Sequence, residues 1–303
     1  MTKVAVLYGG NTGEREISIK SANAIYNWLD GGRFNPVLVC LDDGHFSEDI
    51  STFDIVYNTI HGSPGENGLV QGYLELIGVK HTSSPVMASS ITYSKFDTSK
   101  FISASAILDL NVAKSLLVRK SSKVKMKQVS NIIGFPCFVK PNLGGSSLGA
   151  SIVVGPYDLD KAIDNARVHC DEVVVEQYLK GREFTCGIVN SDILEVTEIE
   201  HGADFFDYET KYSGRAKEIT PPQLDLSTLS KIKRITSDVY DVLRCKGIAR
   251  VDYIMTPDKE LYLLEVNTTP GMTDASIIPQ QVKATGRTMR EVLEKVIDFE
   301  LQN

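Results

Sequence analysis

The chain has 303 residues, and its 32 Lys and Arg against 39 Asp and Glu give a net charge of −7. Hydrophobic residues make up 42% and charged residues 23%, a composition typical of a folded globular protein rather than a disordered one. Nucleic acids and anionic membranes attract basic surfaces, and no apolar stretch approaches the length of a membrane span, so we expect neither as a partner.

Short apolar runs and amphipathic helices alternate in the first third of the chain. Strands are predicted at residues 4–8, 37–41 and 54–60, and helices at 68–76 and in the stretch that ends at Gly31-Gly32. This alternation implies a parallel sheet, whose ligands bind at the carboxyl ends of its strands. A Rossmann-like unit that ends near Ser83-Ser84-Pro85 is therefore predicted.

The remaining sequence predicts a mixture of hairpins and helices. Helices are predicted at 88–93, 99–108, 124–133, 158–170, 229–243 and 292–299. Strands are predicted from 138, at 151–154, 173–175, 184–189, 193–200, 248–255 and 261–266. A polar segment at 202–225 is predicted to be a long loop, and loops of that length are usually functional lids or disordered.

A Gly- and Ser-rich loop at residues 142–149 follows the apolar Phe138-Val139 run and Lys140. Glycines let backbone amides approach a ligand, and hydroxyls donate to phosphate or carboxylate oxygens. The loop lacks the Gly-Lys-Ser/Thr of a P-loop. Two interpretations stay open from these residues: a phosphate-binding loop with Lys140, or a flexible hairpin turn beside a surface lysine.

A second polar group lies on two neighbouring predicted strands. Alternation puts Arg250 and Asp252 on one face of the first strand, and Glu265 and Asn267 on one face of the next. If the strands pair, three oxygen-bearing side chains converge, as Mg²⁺ requires when nucleotide phosphates complete its coordination. The strongly apolar flanks favour this metal site over an ordinary half-exposed hairpin.

Further carboxylates follow predicted strands. Glu176 and Glu183 flank a connector that suits a hinge, although each taken alone fits a surface position. Glu14 follows the Gly9-Gly10 turn, where a doubly wound sheet binds ligands, but an acidic start to a helix explains it equally well.

The order of these features along the chain resembles that of the ATP-grasp ligases. Several short sequence motifs resemble those of the D-alanine–D-alanine ligase family. The matching strings are Gly9-Gly10 with Glu14–Ser18, His61-Gly62 with Gly65–Gly68 and Gln71-Gly72, Lys140-Pro141 through Gly145–Gly149, Phe206–Tyr212, Arg250–Asp252, and Glu265–Thr273 ending at Ser276. The resemblance spans residues 3 to about 290. It implies an α/β ATP-grasp fold preceded by a Rossmann-like parallel-sheet domain.

The resemblance also implies three units: a substrate domain at 1–84, a central ATP-grasp subdomain at 85–176, and a C-terminal subdomain at 177–303 with the metal and substrate site. The roles that it implies are the following. Lys95, Lys140, Lys211, Ser146 and Ser147 hold ATP phosphates, and Glu176 and Glu183 lie at adenine and ribose. Asp252, Glu265 and Asn267 bind two Mg²⁺, with Mn²⁺ as a possible substitute. Glu14 and His61 hold the first D-alanine, and Ser276 holds the carboxylate of the second.

The implied reaction joins two D-alanines through a D-alanyl phosphate, releases ADP and phosphate, and serves peptidoglycan synthesis. Arg250 and the backbone amide of Gly271 are the candidates to stabilise the oxyanion. Ser146, Tyr212 and Glu14 would draw down a lid, and Tyr212 predicts a dipeptide product rather than an ester. The spacing departs from the family pattern before residue 100, so Lys100 stays open as an alternative to Lys95.

Two alternatives remain beside this prediction: a carboxylate–amine ligase for another amino acid, and an ATP-binding regulatory module without catalysis. Retention of Arg250, Asp252, Glu265 and Asn267 argues against the second. The family suggests a homodimer. Five cysteines without a C-x-x-C pair, and no signal-peptide pattern, favour reduced thiols and a cytoplasmic location.

Overall fold

The computed structural model describes residues 1–120, 126–145, 148–201 and 216–302. The N-terminal part forms a five-stranded sheet of order β3-β2-β1-β4-β5, parallel except for β3. Its elements are β1 (Thr2–Gly9), α1 (Arg15–Leu29), β2 (Phe34–Asp42), β3 (His45–Phe46), a 3-10 turn (Ile50–Thr52), β4 (Ile55–Asn58), α2 (Leu69–Leu76) and β5 (Lys80–His81).

The middle part contains an antiparallel four-stranded sheet of order β7-β10-β8-β9. Its elements are α3 (Val86–Tyr93), α4 (Lys95–Ala104), β6 (Leu110–Val112), β7 (Ser115–Val118), α5 (Met126–Ile132), β8 (Cys137–Pro141), β9 (Ser151–Val153), a 3-10 turn (Pro156–Asp158), α6 (Leu159–Arg167) and β10 (Val173–Gln177). The predicted hairpin around the Gly/Ser loop is confirmed, because Val139 pairs with Ser151 across β8 and β9.

The C-terminal part forms a six-stranded sheet of order β13-β12-β11-β14-β15-β6. Its elements are β11 (Arg182–Val189), β12 (Asp192–His201), β13 (Ala216–Ile219), α7 (Leu226–Val242), β14 (Ile248–Met255), β15 (Leu261–Asn267), α8 (Ile277–Ala284) and α9 (Met289–Gln302). One face packs on α7 through an apolar core that includes Phe184, Ile235 and Tyr253. The opposite face contacts α8 and carries the polar residues described below.

The three sheets are joined by elements that cross between them. Strand β6 pairs with β15, and Ala88 of α3 and Ile102 of α4 belong to the core of the six-stranded sheet. Leu293 and Val296 of α9 pack in one core with Ile25 of α1 and Val4 of β1. Residues 86–112 thus pack against the C-terminal sheet. The division of the chain into three units at 84/85 and 176/177 stays a prediction.

Several predicted boundaries need correction. Helix α4 begins at Lys95 rather than near 99, because the Ser94 side chain accepts a hydrogen bond from the Asp97 amide and caps the helix there. Residues 216–219, predicted as loop, form β13 by pairing with β12. The short strands β3, β5, β6 and β7 were not predicted, since two to four residues carry too little periodicity.

None of the helices in the described ranges is long and apolar enough to cross a bilayer. All five cysteines lie in those ranges, and none of them forms a disulfide.

The joint core between α9 and the N-terminal sheet predicts a large effect of truncation there. Leu293 is fully buried, so Leu293→Ala should lower the free energy of unfolding by about 2–5 kcal/mol, through lost burial and a residual cavity. Leu76→Ala is the matched control, because Leu76 is 85% exposed and its truncation should change stability by no more than about 0.5 kcal/mol. Equal losses in urea denaturation of the two variants would contradict this packing.

Candidate active site

The β14–β15 pair brings together the polar residues that the sequence placed on neighbouring strands. Asp252 lies directly opposite Glu265, and Arg250 lies opposite Asn267. Directly opposed residues of an antiparallel pair point to the same face. The predicted pairing is therefore confirmed, and all four side chains lie on the face that does not pack on α7.

Two neighbours hold the Asp252 carboxylate. Arg250 donates from Nε to Oδ1 at 2.9 Å and from Nη2 to Oδ2 at 2.8 Å, and Thr185 Oγ1 donates to Oδ1 at 2.5 Å. Only 16% and 14% of the Arg250 and Asp252 side chains are exposed. Burial alone would lower the pKa of Arg250, but the attraction of Asp252 and Glu265 outweighs burial and raises it above its ordinary value.

Lys95 reaches the same face from the start of α4. Its Nζ lies 3.8 Å from Glu265 Oε2 and also donates to the carbonyl oxygen of Gly144. Burial lowers the pKa of Lys95, and the nearby Glu265 partly offsets that effect. Lys100 instead lies over the Phe96 ring, with its Nζ 3.5 Å from the Ser115 carbonyl oxygen. Of the two lysines, Lys95 is the one beside Glu265.

Asn142 fixes that helix start to the Gly/Ser loop. Its carbonyl oxygen accepts from the Lys95 amide at 3.1 Å, and its side-chain Oδ1 accepts from the Phe96 amide at 2.9 Å. Its Nδ2 donates to Ser94 Oγ and to Glu172 Oε2. The position of Lys95 thus depends on contacts between residues about 50 positions apart.

Lys140 forms an ion pair with Glu176, at 2.6 Å between Nζ and Oε1, and both side chains are largely buried. The two residues lie on the paired strands β8 and β10. Glu183 lies on β11 opposite Ile254 and two residues before Thr185, so its side chain points to the same face as Thr185 and Asp252.

Glu14 lies against the Gly/Ser loop. A Cβ on Gly145 would stand 2.9 Å from Glu14 Oε1, so a larger residue there would displace the Glu14 carboxylate. The predicted loop residues Ser146 and Ser147, and the predicted Lys211 and Tyr212, lie outside the described residues.

His61 is buried near Glu14 and Arg250, whose charges act on it in opposite directions. Its Nδ1 lies 2.8 Å from the Thr59 carbonyl oxygen, which assigns the proton of the neutral ring to Nδ1. Its Nε2 is buried without a hydrogen-bond partner among the described residues. Burial lowers the pKa of His61. This buried nitrogen is therefore available to a ligand.

Ser276 closes the turn after β15. Its Oγ lies 2.8 Å from Thr273 Oγ1 and accepts from the Thr273 amide at 3.1 Å, at the position before α8. Gly271 lies directly beside it, since a Cβ there would stand 3.0 Å from Ser276 Oγ. The Met272 amide donates to Ser21 Oγ of α1, so the turn is attached to the N-terminal part.

Two residues of the site were not predicted from the sequence. One is Thr185, whose only signal is its place two residues after Glu183 on a strand. The other is Glu66, whose Oε2 accepts from the Gly62 amide at 3.0 Å. Burial, followed by the charge of Glu14, raises the pKa of Glu66 to about 8. Its signal was the Gly65-Glu66-Asn67-Gly68 string, which was read as a family match without a role.

The donor set suits a magnesium ion that is shared with a nucleotide. Within the described ranges, no three side chains of Asp, Glu, His or Cys are arranged to hold a metal ion by themselves. Asp252 and Glu265 supply two carboxylates, and Asn267 Oδ1 accepts from the Thr269 amide with one lone pair still available. Mg²⁺ in nucleotide sites is usually held by one or two carboxylates, phosphates and water.

Glu66 predicts a pH effect on stability without ligands. Because the folded pKa of about 8 exceeds the ordinary value of 4.5, this carboxyl contributes stability below pH 4.5, and that contribution is lost as the pH rises through 8. Glu66→Gln removes the titration, so the Tm of the variant relative to wild type should rise between pH 5 and pH 8. A difference in Tm that stays constant across this range would contradict the burial of a neutral Glu66.

Comparisons with known proteins find relatives along nearly the whole chain. The model of the family described as "D-ala D-ala ligase C-terminus" matches residues 105–298. The chain is 38% identical to a D-alanine–D-alanine ligase of Phocaeicola vulgatus over 321 aligned residues, covering 97% of this chain and 98% of the relative. It is 39% identical to a D-alanine–D-alanine ligase of Porphyromonas gingivalis over 322 aligned residues, covering 97% and 96%.

Solved structures give the same result. VanG D-Ala:D-Ser ligase from Enterococcus faecalis matches with a TM-score of 0.86 at 29% identity, covering 98% of each chain. A D-alanine–D-alanine ligase from Bacillus anthracis complexed with ATP matches with a TM-score of 0.86 at 28% identity, covering 100% of this chain and 98% of the other. The predicted ATP-grasp fold is thereby confirmed. The chain is a ligase that belongs to the D-alanine–D-alanine ligase family.

Proposed function

We propose that this ligase uses ATP to join two D-alanine molecules, through a D-alanyl phosphate, into D-alanyl-D-alanine for peptidoglycan precursor synthesis. The observation that carries the proposal is the convergence of Lys95, Arg250, Asp252 and Glu265 on one face of the sheet, in a chain matched over nearly its full length by this family. The ATP-complexed relative from Bacillus anthracis supports ATP as the phosphoryl donor.

The first half of the reaction is a phosphoryl transfer to a carboxylate. A carboxylate is a poor acyl donor, and the acyl phosphate gives it a good leaving group. In this proposal Lys95 and Lys140 hold ATP phosphates, and Glu176 and Glu183 lie toward the nucleoside. Asp252, Glu265 and Asn267 would hold Mg²⁺, two ions in this proposal, and that metal neutralises charge on the transferred phosphoryl oxygens when it is bound.

The first D-alanine would lie between Glu14 and His61. The Glu14 carboxylate accepts hydrogen bonds from the ammonium group. The arriving substrate carboxylate raises the pKa of His61, because a nearby anion favours the charged ring, and Nε2 then donates to that anion. The unpartnered Nε2 is the feature of the free protein that supports this role.

The second D-alanine attacks through its free amine. Ser276, at the start of α8, would hold its carboxylate where backbone amides and the helix dipole favour an anion. Arg250 uses two of its N–H groups on Asp252 and keeps others for the oxyanion, together with the amide of Gly271. The amine proton leaves with the phosphate group, and the protein supplies no covalent nucleophile.

Exclusion of water completes the proposal, since water would hydrolyse the acyl phosphate. On the resemblance alone, Ser146, Ser147, Lys211 and Tyr212 belong to the covering segments. Tyr212 supports a dipeptide rather than an ester product. The same proposal includes a homodimer. It also includes a cytoplasmic location, because ATP and the precursors are made in the cytoplasm.

The direct test incubates the purified protein with ATP, Mg²⁺ and D-alanine, and follows phosphate and dipeptide together. Phosphate release should require D-alanine and match the dipeptide one for one. L-alanine, D-lactate and D-serine serve as alternative substrates in parallel reactions. ATP turnover that ignores D-alanine, or a clear preference for D-serine or D-lactate as second substrate, would overturn the proposal.

A single charge removal tests the metal carboxylate. Glu265→Gln keeps the shape of the side chain but weakens the oxygen ligand, so kcat should fall by about 100-fold or more. Glu260→Gln, at the exposed tip of the same hairpin, is the matched control and should keep near-normal turnover. Near-normal kcat in Glu265→Gln would show that this carboxylate holds no catalytic metal.

A further inference from the structure

Among the hydrogen bonds between described residues, those to the Asp252 carboxylate leave one open position for a metal. A carboxylate has about four lone-pair sites on its two oxygens. Oδ1 accepts from both Thr185 Oγ1 and Arg250 Nε, which uses both of its sites. Oδ2 accepts from Arg250 Nη2 and keeps one site. The oxygen that can face a cation is therefore set by the residues that saturate the other one.

Thr185 is itself fixed from an unexpected direction. It is fully buried on β11, opposite Asp252 on β14 and opposite Thr197 on β12. Its carbonyl oxygen accepts from Gln281 Nε2 at 3.1 Å, and the same Nε2 donates to Thr197 Oγ1 at 3.0 Å. Gln281 belongs to α8, the helix that Ser276 begins.

A β-bulge between β11 and β12 makes room for the Gln281 side chain. The β11–β12 register shifts between Cys186 and Ile188, and the Gly187 amide donates to Gln281 Oε1 at 2.9 Å. A Cβ on Gly187 would stand 2.5 Å from that oxygen, so glycine permits the close approach. Gln281, which is fully buried, thus binds the backbone of both Thr185 and Gly187 on one strand.

We propose that Thr185 is a positioning residue for the metal carboxylate: its hydroxyl saturates Oδ1 of Asp252 and directs Oδ2 toward the divalent cation. Gln281 holds the Thr185 backbone in place from α8, which links the helix of the second-substrate site to the metal site. The inference rests on the proposed function, since it assumes that Asp252 binds the metal of the ligase reaction. Partners that orient metal ligands typically change metal affinity or activity by about 10–100-fold when they are removed.

The test compares variants that differ in the hydroxyl group. Thr185→Val is close in shape to threonine without the hydroxyl, and Thr185→Ser keeps it. Mn²⁺ binding in the presence of ADP is measured by electron paramagnetic resonance, and the Mg²⁺ concentration for half-maximal activity is measured beside the KM for ATP. Thr185→Val should weaken Mn²⁺ binding by about 10-fold or more, and Thr185→Ser should stay within about twofold of wild type.

Thr197→Val separates positioning from structural loss. Thr197 is equally buried and also contacts Gln281, but no hydrogen bond joins it to Asp252 among those between described residues. The Thr197→Val substitution should lower Tm without changing the dissociation constant for Mn²⁺. If Thr185→Val does not fold, Thr185→Ala and Thr185→Ser give the same comparison.

The outcomes are distinct. Equal Mn²⁺ binding in Thr185→Val, or in Thr185→Ala, and in Thr185→Ser would overturn the positioning role while leaving the ligase reaction intact. If the dissociation constant for Mn²⁺ changes as much in Thr197→Val as in Thr185→Val, the role of Thr185 is packing and the positioning role is overturned. Failure of the wild-type protein to form dipeptide would instead reject the proposed function.

Discussion

Positive and negative side chains in the site lie paired with each other, and the geometry of the site depends on this charge compensation. The β14–β15 register places the carboxylates of Asp252 and Glu265 directly opposite each other on a poorly exposed face, where like charges repel. Arg250 pairs with the first and Lys95 lies beside the second. Removing either cation would weaken this compensation at low dielectric.

The same compensation explains how an acidic chain could serve a polyanionic substrate. In the free protein Lys140 pairs with Glu176, and Lys95 lies near Glu265. The two cations are therefore already in place, and neighbouring anions partly compensate their charge. Under the proposed function, ATP phosphates would become the partners of the two lysines, and metal ions would bind Asp252 and Glu265. The exchange keeps the local charge balanced, and the net charge of −7 ceases to be an obstacle.

Much of the fold and part of the site could be predicted from local pattern. The β14–β15 pair followed from alternation on two apolar runs, and the Gly/Ser hairpin followed from its flanking strands. The start of α4 has a local signal in the Ser94 cap, but Asn142, almost 50 residues away, also holds Lys95 and Phe96 through hydrogen bonds. Because this second contact cannot be read from local spacing, Lys95 and Lys100 stayed unresolved.

Other features depend on registers that no single segment contains. Thr185 looks like an ordinary strand residue until β11 pairs with β14 and places it against Asp252. Gln281 looks like a helix surface residue until a bulge at Gly187 offers it a free amide. Glu66 gains its raised pKa from burial, which the sequence does not encode locally. Strand β6 likewise joins a sheet whose other strands lie far along the chain.

Under the proposed function, these paired charges form a metal–nucleotide site on the β14–β15 pair. Anomalous diffraction from crystals grown with ADP and Mn²⁺ tests it most directly, because it locates the metal without reference to activity. The account predicts manganese peaks within ligand distance of Asp252, Glu265 and Asn267, between those side chains and the ADP phosphates. Bound ADP with manganese elsewhere, or without manganese at these side chains, would contradict it.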